Sequence, residues 1–176
     1  LRERVGDLRL LGEAGVLRTR YHGDYHLGQL LRTAGARPGV AGEWVIIDFE
    51  GEPARPLAER RAKASPLRDV AGMLRSFDYA VQMALDEQPP APAHGATLDE
   101  WAAAWQRDVR ALFLEEWRAA VEGSGIAPED PAELARVLAA LELEKAVYEV
   151  GYELNNRPEW IWVPARAIRR LMGGSA

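Results

Sequence analysis

Three helix-start signals follow one another after residue 64, and together they commit most of the chain to helices. Ser65-Pro66 places a capping hydroxyl before a proline suited to a first helical turn. Thr97-Leu98-Asp99-Glu100 is a capping box, in which hydroxyl and carboxylate satisfy each other's orphan backbone donors. Asp130-Pro131-Ala132-Glu133 repeats the logic with a proline pre-set for the first helical position. The stretches "EQPPAPAHGA" and "EGSGIAPED" are the breaks between them. The spacing predicts helices over 66–87, 97–122 and 131–155, and Pro164 is expected to open a last one over 164–172. In the third, Leu134, Val137, Leu138 and Leu141 mark one face and Val147, Val150 and Leu154 another, which predicts a central helix packed from several sides. Trp101, Trp105 and Trp117 are expected to be packing residues of the second.

The front of the chain differs. The first fourteen residues are expected to form the end of a helix that stops between Gly12 and Gly15. "GQLLRT" and "EWVIIDFE" read as two strands joined by the turn-rich "AGARPGVAGE", a hairpin with a loose loop. Trp44-Val45-Ile46-Ile47 is unalternating and β-branched, which predicts burial on both faces. "GEPARP" is loop. The fold class is therefore mainly α, a helical bundle with one β-hairpin near its front.

Bulk properties narrow the function. At 176 residues the chain is one domain or a large piece of one, and its start at Leu1 in charged amphipathic sequence is expected of a segment from a longer protein. A net charge of -5 offers no basic face for nucleic acid or an anionic membrane. With no cysteine, disulfides, thiolate metal sites and cysteine nucleophiles are excluded. No apolar run approaches the roughly 20 residues that span a bilayer, and nothing at the start resembles a signal peptide, so a cytoplasmic location is expected. Lys63 and Lys145 stand against twenty arginines, which limits where a phosphate-binding lysine can be.

The chemistry gathers around the hairpin. "HGDYHLGQ" (22–29) precedes it and "IDFEG" (47–51) ends it. A loop aspartate, Asp24, can orient a hydroxyl nucleophile or accept its proton. Gln29 can bind a hard cation through its amide oxygen, and Asp48 can bring a carboxylate to the same cation. Such a hairpin collects the parts of a phosphotransferase site at one edge. A rival reading is zinc, since His22-x-Asp24-x-His26 supplies three ligand-type side chains, but only His94, in the Pro-rich break, remains beyond them. Packing roles are expected for both loop histidines. Glu50 is either an additional metal contact or, with Glu52, one of two surface acids, and Arg60, Arg61 and Lys63 either neutralise phosphate or form a solvated helix start. At the end of the third helix, Tyr148, Tyr152 and Asn156 share one stripe and Glu149 and Glu153 the adjacent one. Glu149, Tyr152, Asn156, Arg157 and Trp160 are a kit for a sugar, with carboxylate and amide partners for hydroxyls and aromatic faces for C–H groups. The alternative is that the tyrosines are core and the asparagines merely end the helix.

"HGDYHLGQ" is similar to the His-Gly-Asp-x-His-x-x-Asn catalytic loop of the aminoglycoside-phosphotransferase-like kinases, relatives of protein kinases, with Gln29 in place of the final Asn. Together with "VIIDFEGEP", "RRAKASPLRDVAGMLRSFDYA" and "YELNNRPEWIWVP", it resembles the C-terminal lobe of maltokinases, alone or fused behind a trehalose synthase. The resemblance implies a kinase-like C-terminal lobe over 1–176, with the nucleotide-binding N-terminal lobe outside the chain and turnover by the isolated chain little or none. It implies ATP and Mg2+, a disaccharide such as maltose as acceptor, and transfer to its anomeric hydroxyl. It makes Asp24 the catalytic residue, Gln29 and Asp48 the metal ligands, and His22 and Asp69 supports of the loop. A glucosamine kinase or another small-molecule kinase of the same superfamily, or a non-catalytic interaction lobe fused to a trehalose synthase, are the alternatives.

Overall fold

The structure, a computed structural model, describes residues 6, 7, 9, 12, 16–35, 42–86 and 97–173. The helix end expected in the first fourteen residues, the tip of the hairpin turn at 36–41 and the Pro-rich break with His94 fall largely or wholly outside them. A short 3-10 turn, Leu27–Gln29, leads into β1 (Leu30–Arg32), which pairs with β2 (Trp44–Ile46). Among the described residues five α-helices follow: α1 (Leu57–Arg61), α2 (Leu67–Asp86), α3 (Leu98–Val121), α4 (Pro131–Asn156) and α5 (Trp162–Leu171), the last two separated by the 3-10 turn Pro158–Trp160. The expected hairpin and the helical succession are present. α1 lies where only a possible helix start was anticipated.

The start signals act as their chemistry predicts. Ser65 Oγ accepts from Leu67 N at 3.3 Å. Both arms of the Thr97–Glu100 capping box are made, and Asp130 accepts from Ala132 N with Pro131 opening α4. α5 differs: it begins at Trp162, so Pro164 sits within its first turn rather than at its start, where a missing N–H costs nothing.

α2 and α4 pack against each other, with α3 against α2 and α5 against α4. Leu67, Val70, Met73, Leu74 and Phe77 of α2 meet Leu134, Val137, Leu138 and Leu141 of α4 in one buried cluster. The first predicted face of α4 is thus core. The second is not: Val147 and Leu154 are exposed. From Glu142 onward α4 buries charge beside Leu143 and Ala146, with Glu142, Glu149 and Glu153 inside the protein. The tryptophans divide similarly. Trp117 packs on the core, whereas Trp101 and Trp105 are exposed, Trp105 meeting the edge of Phe77.

The largest departure is β2. Trp44, Val45 and Ile46 are all exposed, Trp44 at 65%. Of this two-stranded ribbon of three residue pairs, Leu30 of β1 packs against the core, while the apolar run of β2 is left open.

Candidate active site

The hairpin register does the first positioning. Leu30 faces Ile46, and the ladder continues one step further, where Ile47 N donates to Gln29 O at 3.0 Å. Asp48 therefore emerges beside Gln29, and the Gln29 amide nitrogen donates to Asp48 Oδ2 at 3.1 Å. Asp48 has φ 61°, a left-handed conformation that aspartate tolerates better than most residues and that tends to persist where a site demands it. The pair presents a carboxylate and an amide oxygen, hard donors of the kind magnesium prefers. Among the described residues no group of three or more His, Cys, Asp or Glu is placed to hold a metal ion together.

The loop from His22 to Gln29 is tied to one stripe of α2. The Asp69 carboxylate accepts His22 N at 2.6 Å and Gly23 N at 2.9 Å. One turn on, Gly72 lies so close beneath the loop that a Cβ there would sit 2.7 Å from Tyr25 O. Another turn on, Ser76 Oγ accepts Leu27 N at 3.2 Å. Burial pushes the Asp69 carboxyl above its ordinary range, against the pull of its two backbone donors. Burial also raises the Tyr25 phenol, with the Asp69 charge adding to it.

His22 joins the loop to the hairpin. Asp24 N donates to His22 Nδ1, so Nε2 carries the proton and donates to Ile47 O at 2.7 Å. Its ring packs on Phe49 at 4.9 Å and Tyr25 at 5.5 Å. His26 caps the 3-10 turn through Nδ1, which accepts Gly28 N at 3.0 Å, and holds Nε2 3.8 Å from Asp24 Oδ2. Both histidines are thus engaged as braces. Gly23, at φ 86°, lets the loop pass Gly51, whose Cα would stand 3.1 Å from a Cβ at position 23. Arg60 spends one guanidinium donor on Glu50 O at 3.3 Å, while Arg61 and Lys63 are exposed.

Asp24 opens onto a cavity of about 560 Å³ between the loop, residues 52–54, α2 and α4. Of the five residues assigned to sugar binding from sequence, Glu149, Tyr152 and Arg157 line it. Asn156 instead donates to Tyr152 O along the helix, and Trp160 stacks on Tyr79 at 6.4 Å. Glu149 is held from behind by Arg75, which is 1% exposed and donates Nε and Nη2 to Glu149 Oε2 at 2.9 and 2.6 Å. Arg75 also pairs with Asp78, itself bonded to Gln106 of α3 and Arg170 of α5. Burial raises the Glu149 carboxyl, and Arg75 opposes that rise. Glu153 takes Arg157 at 2.7 and 3.0 Å and the Tyr79 hydroxyl at 2.9 Å. Burial, the Glu149 charge and the bond to Glu153 together push that phenol far up.

Sequence reasoning missed Glu52, Lys145, Arg75 and Tyr79. Glu52 faces the cavity rather than solvent, within 3.5 Å of Lys145 and hydrogen-bonded to Tyr148, whose phenol is pushed up to about 12 by burial first and the Glu52 charge second. Lys145 was legible one turn before Glu149 on the same helix face.

No family profile matches the chain. It is 31% identical over 156 residues to a glucosamine kinase of Streptacidiphilus jiangxiensis, covering 86% of this chain and 31% of that protein. It is 34% identical over 170 residues to a glucosamine kinase of Mycolicibacterium smegmatis (strain ATCC 700084 / mc(2)155), covering 96% of this chain and 37% of the relative. Among solved structures, a glucosamine kinase in complex with glucosamine, ADP and inorganic phosphate superposes with a TM-score of 0.72 at 26% identity, over 97% of this chain and 37% of that one. A second crystal form of a glucosamine kinase gives 0.73 at the same identity. These names correct the expectation of a maltokinase: neither maltose, nor a disaccharide, nor a trehalose synthase is named in any of them. The chain spans about a third of the length of the glucosamine kinases it resembles, and the loop, the hairpin and the cavity beside Asp24 all lie within that third.

Proposed function

We propose that this chain is the acceptor-binding, C-terminal part of an ATP-dependent glucosamine kinase, with a kinase-like lobe architecture. The observation that carries the reading is the cavity at Asp24, lined by four carboxylates, Asp24, Glu52, Glu149 and Glu153, in a fold similar to a protein solved with glucosamine and ADP. An amino sugar brings an ammonium group to a wall whose four carboxylates outnumber its two cations, Lys145 and Arg157, whereas maltose offers that wall hydroxyls alone.

In this reading Asp24 orients the acceptor hydroxyl and takes its proton as the oxygen attacks the γ-phosphorus. The bond from that phosphorus to ADP breaks as the new P–O bond forms. Asp48 and Gln29 would hold a magnesium ion, whose charge offsets that of the nucleotide phosphates. Asp69 and His22 keep the loop in place through the hydrogen bonds described above. Glu149, Tyr152 and Arg157 face the sugar. A nucleotide-binding lobe covering the exposed Trp44–Ile46 strand completes the cleft, and residues 1–176 alone turn over little or nothing.

The test is Asp24→Asn in the full-length protein, assayed for ADP release with glucosamine, glucose and maltose. Turnover with glucosamine should exceed that with the other two and fall about 10²–10⁴-fold in the variant. Undiminished turnover by Asp24→Asn, or a preference for maltose, would sink the reading.

A further inference from the structure

We propose that Lys145 is a catalytic cation of this site, receiving the oxygens of the phosphoryl group as it passes to the acceptor at Asp24. The proposal rests on the kinase reading above and adds a residue to it.

Lys145 projects from α4 into the cavity, and its ammonium lies 3.7 Å from Asp24 Oδ1 and 3.5 Å from Glu52 Oε2, over the Tyr148 ring at 5.1 Å. Both carboxylate separations exceed a formed hydrogen bond. Arginines meant to hold carboxylates in this molecule close up: Arg157 reaches Glu153 at 2.7 Å, and Arg110 reaches Glu142 at 2.8 Å. Of the two cations lining the cavity, Arg157 is committed to Glu153, while no hydrogen bond engages Lys145 among the described residues. Its side chain is 30% exposed, so its stem can turn. Glu52 keeps the Tyr148 hydroxyl when the ammonium leaves it.

Chemistry favours lysine here. In a chain with twenty arginines, the site uses one of only two lysines, and the other, Lys63, is exposed. A compact ammonium with rotatable donors can follow an oxygen whose position changes during transfer, which a planar guanidinium fixed in a bidentate pair cannot. An acceptor oxygen bonded to Asp24 places the incoming phosphorus next to that carboxylate, within one side-chain swing of Lys145. In the step, the acceptor oxygen bonds to phosphorus, the bond to the ADP oxygen breaks, and Asp24 takes the hydroxyl proton. Lys145 gives and takes no proton; it offsets negative charge on the moving group.

Full-length Lys145→Met and Lys145→Arg decide the matter, with Asp24→Asn alongside. For Lys145→Met, kcat should fall about 10²-fold while the KM for glucosamine stays within about threefold, and inhibition by inorganic phosphate in the presence of ADP should weaken about tenfold. Lys145→Arg should recover part of kcat, since charge returns without the geometry. Lys145→Gln makes the same comparison should Lys145→Met not fold. An unchanged kcat, or a raised KM at constant kcat with phosphate inhibition intact, overturns the proposal and leaves Lys145 a wall of the sugar pocket. If Asp24→Asn also turns over normally, the kinase reading of the site fails with it; if only Asp24→Asn collapses, Lys145 alone is wrong.

Discussion

Two neighbouring stretches, the polar loop from His22 to Gln29 and the apolar strand Trp44–Ile46, are held in opposite ways. The loop has little apolar surface, yet its backbone donors at His22, Gly23 and Leu27 end on Asp69 and Ser76 of a single α2 stripe. The strand carries Trp, Val and Ile, yet all three are exposed and its order rests on three ladder pairs with β1. Fixed geometry in the loop thus comes from hydrogen bonds to a rigid helix together with Tyr25 packed on the core, not from a run of apolar residues. The apolar strand is the part that asks for a cover, and the polar loop is already complete.

The largest expected effect sharpens that contrast through the helix beneath the loop. Leu74 is fully buried between α2 and α4, so Leu74→Ala should cost about 2–5 kcal/mol in chemical denaturation. Trp44→Ser, although it removes a far larger side chain, should change the stability of this chain by no more than about 1 kcal/mol, much of it the loss of Arg32 stacked 5.9 Å over the ring. A comparable loss from both would mean that β2 is packed rather than open.

Gly72→Ala comes next and strikes the contact between the two stretches' supports. An added methyl would stand 2.7 Å from Tyr25 O, so the loop must lift or the helix must shift. Alanine improves helix propensity by about 1 kcal/mol, but overpacking costs about 1–3 kcal/mol, so stability should fall slightly. Turnover of the full-length protein should fall at least about tenfold, because small misplacements of positioned groups are expensive in rate. Stabilisation with unchanged activity would show that the loop does not depend on its seat.

Much of this was legible in the sequence because it is local. The capping residues Ser65, Thr97 and Asp130 announce helices through bonds to residues within one turn, and each bond is present. That Gln29 and Asp48 meet was legible as well, since a hairpin register brings its two ends together by itself. Exposure of Trp44–Ile46 was not, because an apolar run reports its own composition and not what lies over it. Nor were the partners of Glu149 and Asp24. Arg75 and Glu149 are 74 positions apart and meet only once α2 has packed on α4. The acceptor was not legible either: Tyr152, Glu153 and Arg157 of "YELNNRPEWIWVP" do line the cavity, but such side chains suit many sugars, and it is the glucosamine kinases similar to this chain that overturn maltose.

The smallest effect concerns how the loop's anchor is charged. Burial raises the Asp69 carboxyl above the ordinary aspartate range, although His22 N and Gly23 N pull the other way. A native state with the higher carboxyl pKa binds its proton more tightly than the unfolded chain. The resulting stability is complete below the unfolded value and is lost as pH rises through the folded one. Asparagine cannot titrate, so between about pH 4 and about pH 7 the thermal midpoint of wild type should fall relative to that of Asp69→Asn. A wild-type midpoint that rises relative to the variant's with pH would mean the two backbone donors outweigh burial. The anchor would then be strongest in the ionised form, and the loop that Asp69 holds would gain its rigidity from charge rather than despite it.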